Sequence, residues 1–257
     1  MNTINKQFKA LHQQAEPLLL GNAWNVQSAV ILQKQQYKAI ATSSMAIAET
    51  LGYQDGEQMP FEEYLMIIKR IKASTTIPLS VDLEAGYGET EEAIIENIKR
   101  LHNLGIAGIN LEDSVVNASG RVIVSADNFA QKLAGITARL KALDIDIFIN
   151  VRCDAFLLGL PNACDEAVNR IRLYENSGAD GIFLPCITAL DDIKTTVDST
   201  PIPINVMCMP GLPDFEVLQS LSVKRISMGS FFNNTVYKKA EVLAQNIIRE
   251  RNFSSLF

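Results

Sequence analysis

The sequence predicts an α/β protein, a (β/α)8 barrel running over residues 1–257 as a single domain, with 231–257 as a C-terminal helical segment. Three observations predict it. Short apolar runs rich in Ile, Val and Leu alternate from end to end with longer stretches of helical period. That alternation implies parallel strands joined by right-handed crossovers. About eight such units fill the chain, as a closed barrel requires. An open dinucleotide-binding sheet fits less well, because Gly21-Asn22-Ala23-Trp24 after the first strand is not the G-x-G-x-x-G fingerprint.

The strand candidates, in order, are 18–23, 39–44, 78–85, 107–113, 147–154, 181–186, 204–209 and 225–230. Helical stretches lie between them at 61–74, 89–104, 126–143, 163–177 and 214–220. In the second of these, Glu91 and Glu92 supply an acidic first turn ahead of Ile94, Ile95 and Ile98, and Gly105 follows as a stop. Ser125 and Asp127 mark the start of the third, and Gly178 ends the fourth. The last stretch, 231–251, either closes the barrel or reaches a partner subunit. No Pro/Gly/Ser-rich linker divides the chain.

Lys and Arg total 23 against 29 Asp and Glu, a net charge of −6, which argues against nucleic acid as a partner. A small carboxylate is not excluded, since a local site can oppose the global charge. No apolar run is long enough to span a membrane. Residues 1–14 lack the apolar core and cleavage site of a secretory signal. Cys153, Cys164, Cys186 and Cys208 include no C-x-x-C pair, so free thiols and a cytoplasmic location are the simplest expectation.

In a barrel, chemistry belongs at the carboxyl ends of the strands. Buried parallel strands should be nearly all apolar, yet several here end in polar groups. Asp82 and Glu84 sit two apart in the third strand, so alternation points both to one side. Alternatively, Glu84 already belongs to a solvated loop and Asp82 is a cap. Asn110 and Glu112 share a face of the next strand, while Asp113 points away. Clustered oxygens without His or Cys suit Mg²⁺, or Mn²⁺, rather than zinc. Asn150, Arg152 and Asp154 alternate with Ile149, Val151 and Cys153, placing Cys153 toward the helices. Arg152 either grips a substrate carboxylate or ties the carboxylates together as an ion pair. Thr42, Ser43 and Ser44 offer donors to an anion. Trp24 and Asn22 form pocket wall or packing, and Asn205 of the seventh strand joins the candidate substrate contacts. His12 and His102 suggest no nucleophile pairing, and no strand ends in a lysine.

Asp82-Leu83-Glu84-Ala85-Gly86-Tyr87-Gly88, Leu111-Glu112-Asp113-Ser114 and Asn150-Val151-Arg152-Cys153-Asp154-Ala155-Phe156 together resemble the isocitrate lyase/phosphoenolpyruvate mutase superfamily. Thr42-Ser43-Ser44, Leu51-Gly52-Tyr53-Gln54-Asp55, Gly178-Ala179-Asp180-Gly181 and Pro210-Gly211-Leu212-Pro213 extend the likeness over nearly the whole chain. The short phosphonomutase-like members, similar to carboxyvinyl-carboxyphosphonate phosphorylmutase, are nearest in character. The resemblance implies a barrel whose last helix is swapped between subunits of a homodimer or homotetramer. It implies Mg²⁺ bound by Asp82, Glu84 and Glu112 with Asp55 near it. It also implies that Arg152 binds substrate, and that Ser43 and Ser44 hold a carboxylate or enolate oxygen. Arg152, Ser43 and Glu112 are thus the candidate catalytic residues.

Two departures narrow the reaction. The lyases' Lys-(Lys/Arg)-Cys-Gly-His lid motif is replaced by Val115-Val116-Asn117-Ala118-Ser119-Gly120-Arg121, in which Arg121 either contacts substrate or, as the favoured expectation, lies at the solvated surface. The mutases' His-Ser pair is replaced by Pro185 and Cys186. The leading expectation is a Mg²⁺-dependent lyase or decarboxylase acting on a small 2-oxo or 2-hydroxy acid through an enolate. The rivals are a C–P mutase or hydrolase and a barrel that binds a metabolite without turnover.

Overall fold

A computed structural model describes residues 3–257; Met1 and Asn2, at the head of the stretch examined for a signal, lie outside the described residues. Helix α1 (Thr3–Leu11) precedes β1 (Leu18–Ala23). There follow α2 (Val26–Lys34), β2 (Ala39–Thr42), α3 (Ser44–Thr50), α4 (Phe61–Ala73), β3 (Leu79–Asp82) and α5 (Glu91–Asn103). Strand β4 (Gly108–Glu112) leads into an antiparallel hairpin, β5 (Ser114–Asn117) and β6 (Gly120–Ile123), and then α6 (Ala126–Ala142). The chain continues through β7 (Phe148–Arg152), α7 (Ala163–Asn176), β8 (Gly181–Leu184) and α8 (Leu190–Asp198). It ends with β9 (Ile204–Met207), α9 (Phe215–Ser220), β10 (Arg225–Ser227) and α10 (Phe231–Glu250).

Eight parallel strands close into a barrel in the order β1-β2-β3-β4-β7-β8-β9-β10, and β10 pairs back with β1. The (β/α)8 architecture expected from the alternation is therefore present. Every barrel strand after β1 is shorter than its apolar run suggested; among them β3 stops at Asp82 and β7 at Arg152. Glu84 breaks β3, because its backbone is left-handed (φ 50°). The hairpin β5–β6 is an element that the helical and strand periodicity did not announce.

The main core lies between the barrel wall and its helices, where Ile40, Leu79, Val81, Ile109, Leu111, Val151 and Ile182 are buried. A second cluster plugs the amino-terminal end of the barrel, where Phe8 and Leu11 of α1 meet Leu18, Leu20, Ala39, Ala41, Ala107 and Phe148. Complete burial of Phe8 is worth about 1.5–3 kcal/mol. Gly108 admits that plug: a Cβ there would stand 2.7 Å from the Phe8 ring and 3.1 Å from the Phe148 carbonyl oxygen. Among the described residues no helix is long and apolar enough to cross a membrane.

His12 belongs to this plug and not to the surface. Its ring stacks on Phe148 at 4.2 Å between centroids, and Nδ1 lies 2.8 Å from the Phe8 carbonyl oxygen. Burial, reinforced by the charge of Arg225, pushes its pKa down to about 3. The unfolded chain, with an ordinary imidazole, takes up a proton below pH 6.5 that the folded chain refuses until about pH 3. Stability is therefore lost as pH falls through that window. Relative to His12→Phe, the wild-type chain should lose up to about 1.4 kcal/mol per pH unit on acidification. Parallel urea titrations at several pH values measure the difference, and superimposable pH dependences would refute the assignment.

Candidate active site

The strand ends place a polar cavity of about 260 Å³ at the carboxyl-terminal mouth of the barrel. Asn22, Ser43, Asp82, Asn110 and Arg152 line it from the strand side, with Asp55 closing over it from a loop and Arg121 from β6. Its lining contains no His, Cys or Lys.

Asp82, the last residue of β3, is fixed from both its backbone and its carboxylate. Its N–H donates to Thr42 Oγ1 at 2.9 Å, and its carbonyl accepts from Tyr64 Oη at 2.8 Å. Ser44 donates to Oδ2 through its hydroxyl at 2.8 Å and its N–H at 3.3 Å, while Asn110 Nδ2 reaches Oδ1 at 3.3 Å. The Asn110 amide cannot turn over, because its Oδ1 accepts from Asn150 Nδ2 at 2.9 Å and Arg225 Nη2 at 3.2 Å.

Glu112 and Arg152 stand directly opposite in the register of β4 and β7, both pointing inward. Arg152 Nη1 lies 2.9 Å from Glu112 Oε2, and Nε and Nη2 lie 2.6 and 3.1 Å from the two oxygens of Asp154. Burial alone would lower the Arg152 guanidinium, but Glu112, Asp154 and Asp82 outweigh it and hold the group charged. Burial raises Glu112 to about 7 against the opposing pull of Arg152 and Arg121. Asp154 is itself anchored by Ser114 Oγ at 2.5 Å, and its N–H donates to Asp113 Oδ1 at 2.9 Å. Asp113 faces the helices as expected, paired with Arg170 at 2.9 Å and Tyr174 at 2.7 Å. Cys153 is buried on that side too.

The structure thus brings Asp55, Asp82, Glu112, Ser43, Ser44 and Arg152 to one mouth. It treats others differently. Glu84 does not share the face of Asp82: its left-handed backbone turns the carboxylate to Tyr87 Oη at 2.7 Å and the Glu57 N–H at 2.8 Å. Burial, with Asp55 next in effect, pushes it up to about 8, so it is largely protonated at neutral pH. Trp24 is packing: it is buried against Phe232 at 5.5 Å and Tyr237 at 6.4 Å. Asn205 lies inside the barrel below the cavity, hydrogen-bonded to Ser227 and Asn150. The Ser43 and Ser44 N–H groups are already committed, to Ala23 O and to Asp82. Ser43 Oγ accepts the Ala46 N–H at 3.3 Å and keeps its own proton to donate.

Arg121 was expected at the surface and is instead only 14 % exposed, inserted between Asp55 at 2.9 Å and Glu112. No local periodicity reveals this, because the side chain arrives on the unannounced hairpin. Asn22, read as pocket wall or packing, lines the cavity, and its Oδ1 accepts the Met228 and Gly229 N–H groups at 2.8 and 3.1 Å, which fixes the β10 loop.

The donor chemistry fits a hard divalent cation. Asp82 faces the cavity, and Glu112 Oε2 is buried, ion-paired to Arg152 yet receiving no hydrogen bond. Among the described residues no three acidic, His or Cys side chains are already gathered as a metal cage. Glu84 faces elsewhere, and Arg121 engages both Asp55 and Glu112.

Removing Asp154 tests the ion network itself. Asp154→Ala strands a buried guanidinium and should cost about 3–5 kcal/mol in urea unfolding. A loss under about 1 kcal/mol would mean that Glu112 alone holds Arg152.

Residues 8–248 match the family described as phosphoenolpyruvate phosphomutase. An uncharacterised Mycobacterium tuberculosis H37Rv protein is 30% identical over 223 residues, 87% of this chain and 81% of its own. The 2-methylisocitrate lyase of Escherichia coli K12 is 27% identical over 211 residues, 79% of this chain and 69% of the enzyme. A crystal structure from Burkholderia cenocepacia J2315, provisionally assigned as a phosphonomutase, superposes with a TM-score of 0.88 at 32% identity, covering 95% of this chain and all of that one.

Proposed function

The chain belongs to the phosphoenolpyruvate phosphomutase family of the isocitrate lyase/phosphoenolpyruvate mutase enzymes, and within it we propose a carbon–carbon lyase or decarboxylase acting on a small 2-oxo or 2-hydroxy acid through an enolate. One observation carries this reading. The Asp82 carboxylate, suited to a cation, and the Arg152 guanidinium, suited to an anion, line the same small cavity, and no imidazole or thiol is in that lining.

Arg152 lines the cavity with Nε and Nη2 engaged by Asp154 and Nη1 by Glu112, and would bind the substrate carboxylate through the Nη hydrogens those partners leave over. Because that fork is already locked, little side-chain entropy is lost on binding. The Ser43 hydroxyl donates to oxygen charge that develops during reaction. Asp82 would hold Mg²⁺ or Mn²⁺, with Asp55 and Glu112 joining when Arg121 releases them. Such an ion, when bound, supplies Lewis-acid stabilisation of the enolate. The absence of a Cys-bearing lid, and of a His-Ser pair at Pro185 and Cys186, favours bond cleavage that needs neither group. Decarboxylation meets that condition, because the departing carbon dioxide needs no proton.

With oxaloacetate as the probe, Asp82→Asn and Arg152→Lys should each lower kcat/KM by about 10²–10³-fold. Oxalate, which resembles the pyruvate enolate, should raise the melting temperature only when Mg²⁺ is present. Undiminished turnover in EDTA would end the metal-dependent reading. Phosphate release from phosphonopyruvate, with no turnover of oxaloacetate, would transfer the assignment to C–P chemistry. Oxalate binding without turnover of any acid would favour a metabolite-binding role.

The C-terminal segment supports a homodimer or homotetramer. Helix α10 leaves the barrel with one buried residue, Asn233, while Val236, Tyr237, Val242 and Ile248 are exposed. At its start, Phe231 and Phe232 line an apolar cavity of about 490 Å³ together with Phe215. A second copy exchanging the same segment covers both surfaces at once. Light scattering at micromolar concentration should give a multiple of the 28.3 kDa chain mass, and Val242→Asp with Ile248→Asp should reduce it to one chain. A monomeric wild type would dismiss the exchange.

A further inference from the structure

The hairpin β5–β6 is seated by a close contact and a charge. Val116 packs where Gly56 has no side chain; a Cβ at that glycine would lie 2.6 Å from Val116 Cβ. The contact joins the hairpin to the same loop that carries Asp55. Beyond it, Arg121 sends its guanidinium into the acidic mouth. Nη2 lies 2.9 Å from Asp55 Oδ2; Nη1 contacts Glu112, lies 2.9 Å from Ser114 Oγ and stands 3.6 Å from Asp154 Oδ2.

This guanidinium engages two of the three carboxylates that would serve a divalent cation, and leaves the third, Asp82, to Ser44 and Asn110. A guanidinium and a divalent cation cannot both sit between Asp55 and Glu112. Within such a distance their repulsion in a water-poor mouth is large compared with thermal energy. Each cation, by contrast, separately relieves the repulsion between the carboxylates.

We propose that Arg121 is a tethered counter-cation that competes with the divalent ion for Asp55 and Glu112, so that metal loading and seating of the hairpin exclude each other. Arg121 thereby sets the metal affinity of the mouth. Without the metal it neutralises the carboxylates and holds the hairpin over the cavity. With the metal bound, the guanidinium is expelled and the hairpin lifts. This inference rests on the reading that the mouth takes a divalent cation.

Mn²⁺ binding to the full-length protein, read directly as loss of the free-ion electron paramagnetic resonance signal, tests it without any assay of turnover. Arg121→Gln should bind Mn²⁺ about tenfold or more tightly than wild type, and Arg121→Lys should stay near wild type. Equal or weaker binding by Arg121→Gln overturns the competition and leaves the metal-dependent reading standing. Absence of Mn²⁺ binding by both proteins overturns the two together. Should Arg121→Gln fail to fold, the wild-type chain carries the test, because trypsin cuts after arginine. Mn²⁺ should then speed cleavage between Arg121 and Val122 several-fold over EDTA, and an unchanged rate overturns the proposal.

Discussion

The site depends on how buried carboxylates are kept ionised at the barrel mouth. Asp82, Glu112 and Asp154 lie within the reach of Arg152, and Asp55 with Glu112 within the reach of Arg121. Removing such groups from water costs several kcal/mol each unless opposite charge and hydrogen bonds replace the solvent. The replacement is built into strand register: Glu112 faces Arg152 because β4 and β7 are neighbours in space, although the hairpin and α6 separate them in sequence. Compensation is incomplete for Glu112, which sits at about 7, and it fails for Glu84, which sits at about 8.

The barrel interior below the mouth completes this arrangement. Asn110, Asn150, Asn205 and Ser227 form a hydrogen-bonded layer where many barrels carry branched apolar side chains. Arg225 enters that layer fully buried, with Nη2 on Asn110 and with Nε and Nη1 lacking hydrogen-bond partners. Burial lowers its pKa to about 9, with Asp82 pulling the other way, so it remains a cation at neutral pH. Positive charge thus lies deep along the barrel axis and negative charge at its mouth. The gradient helps to keep His12 neutral at the amino-terminal end, and through Asn110 it fixes the amide that steadies Asp82.

Period-two alternation made much of this legible before any coordinates. It placed Asn110 with Glu112 and Asn150 with Arg152, and sent Asp113 and Cys153 outward, because each of those residues lies within or just beyond a regular strand. Glu84 escaped the same rule because the strand ends at Asp82, and one left-handed residue cancels the parity of every residue beyond it. Asn205 was misplaced for a related reason. Alternation says which way a side chain points but not how deep in the barrel it lies, and depth is set by the stagger between strands. Arg121 and His12 depend on tertiary return of a hairpin and of a terminal helix, for which neither segment carries a local signal.

Cavity size and charge together limit what the seated form can hold. A polar cavity of about 260 Å³ suits a small carboxylate rather than a cofactor-sized ligand. The charge condition is equally restrictive. Arg152 already balances Glu112 and Asp154, so each further anion brought by a ligand needs cationic charge from elsewhere. A single carboxylate with an adjacent oxo group concentrates its demand on one point, beside Asp82, where a divalent ion meets it. A ligand with two distant carboxylates calls for a second cation at the far wall. Arg121 lines the cavity, but it is the side chain that the metal expels, so the metal-bound mouth disfavours such a ligand. The hairpin therefore contributes positive charge to the metal-free mouth rather than a proton.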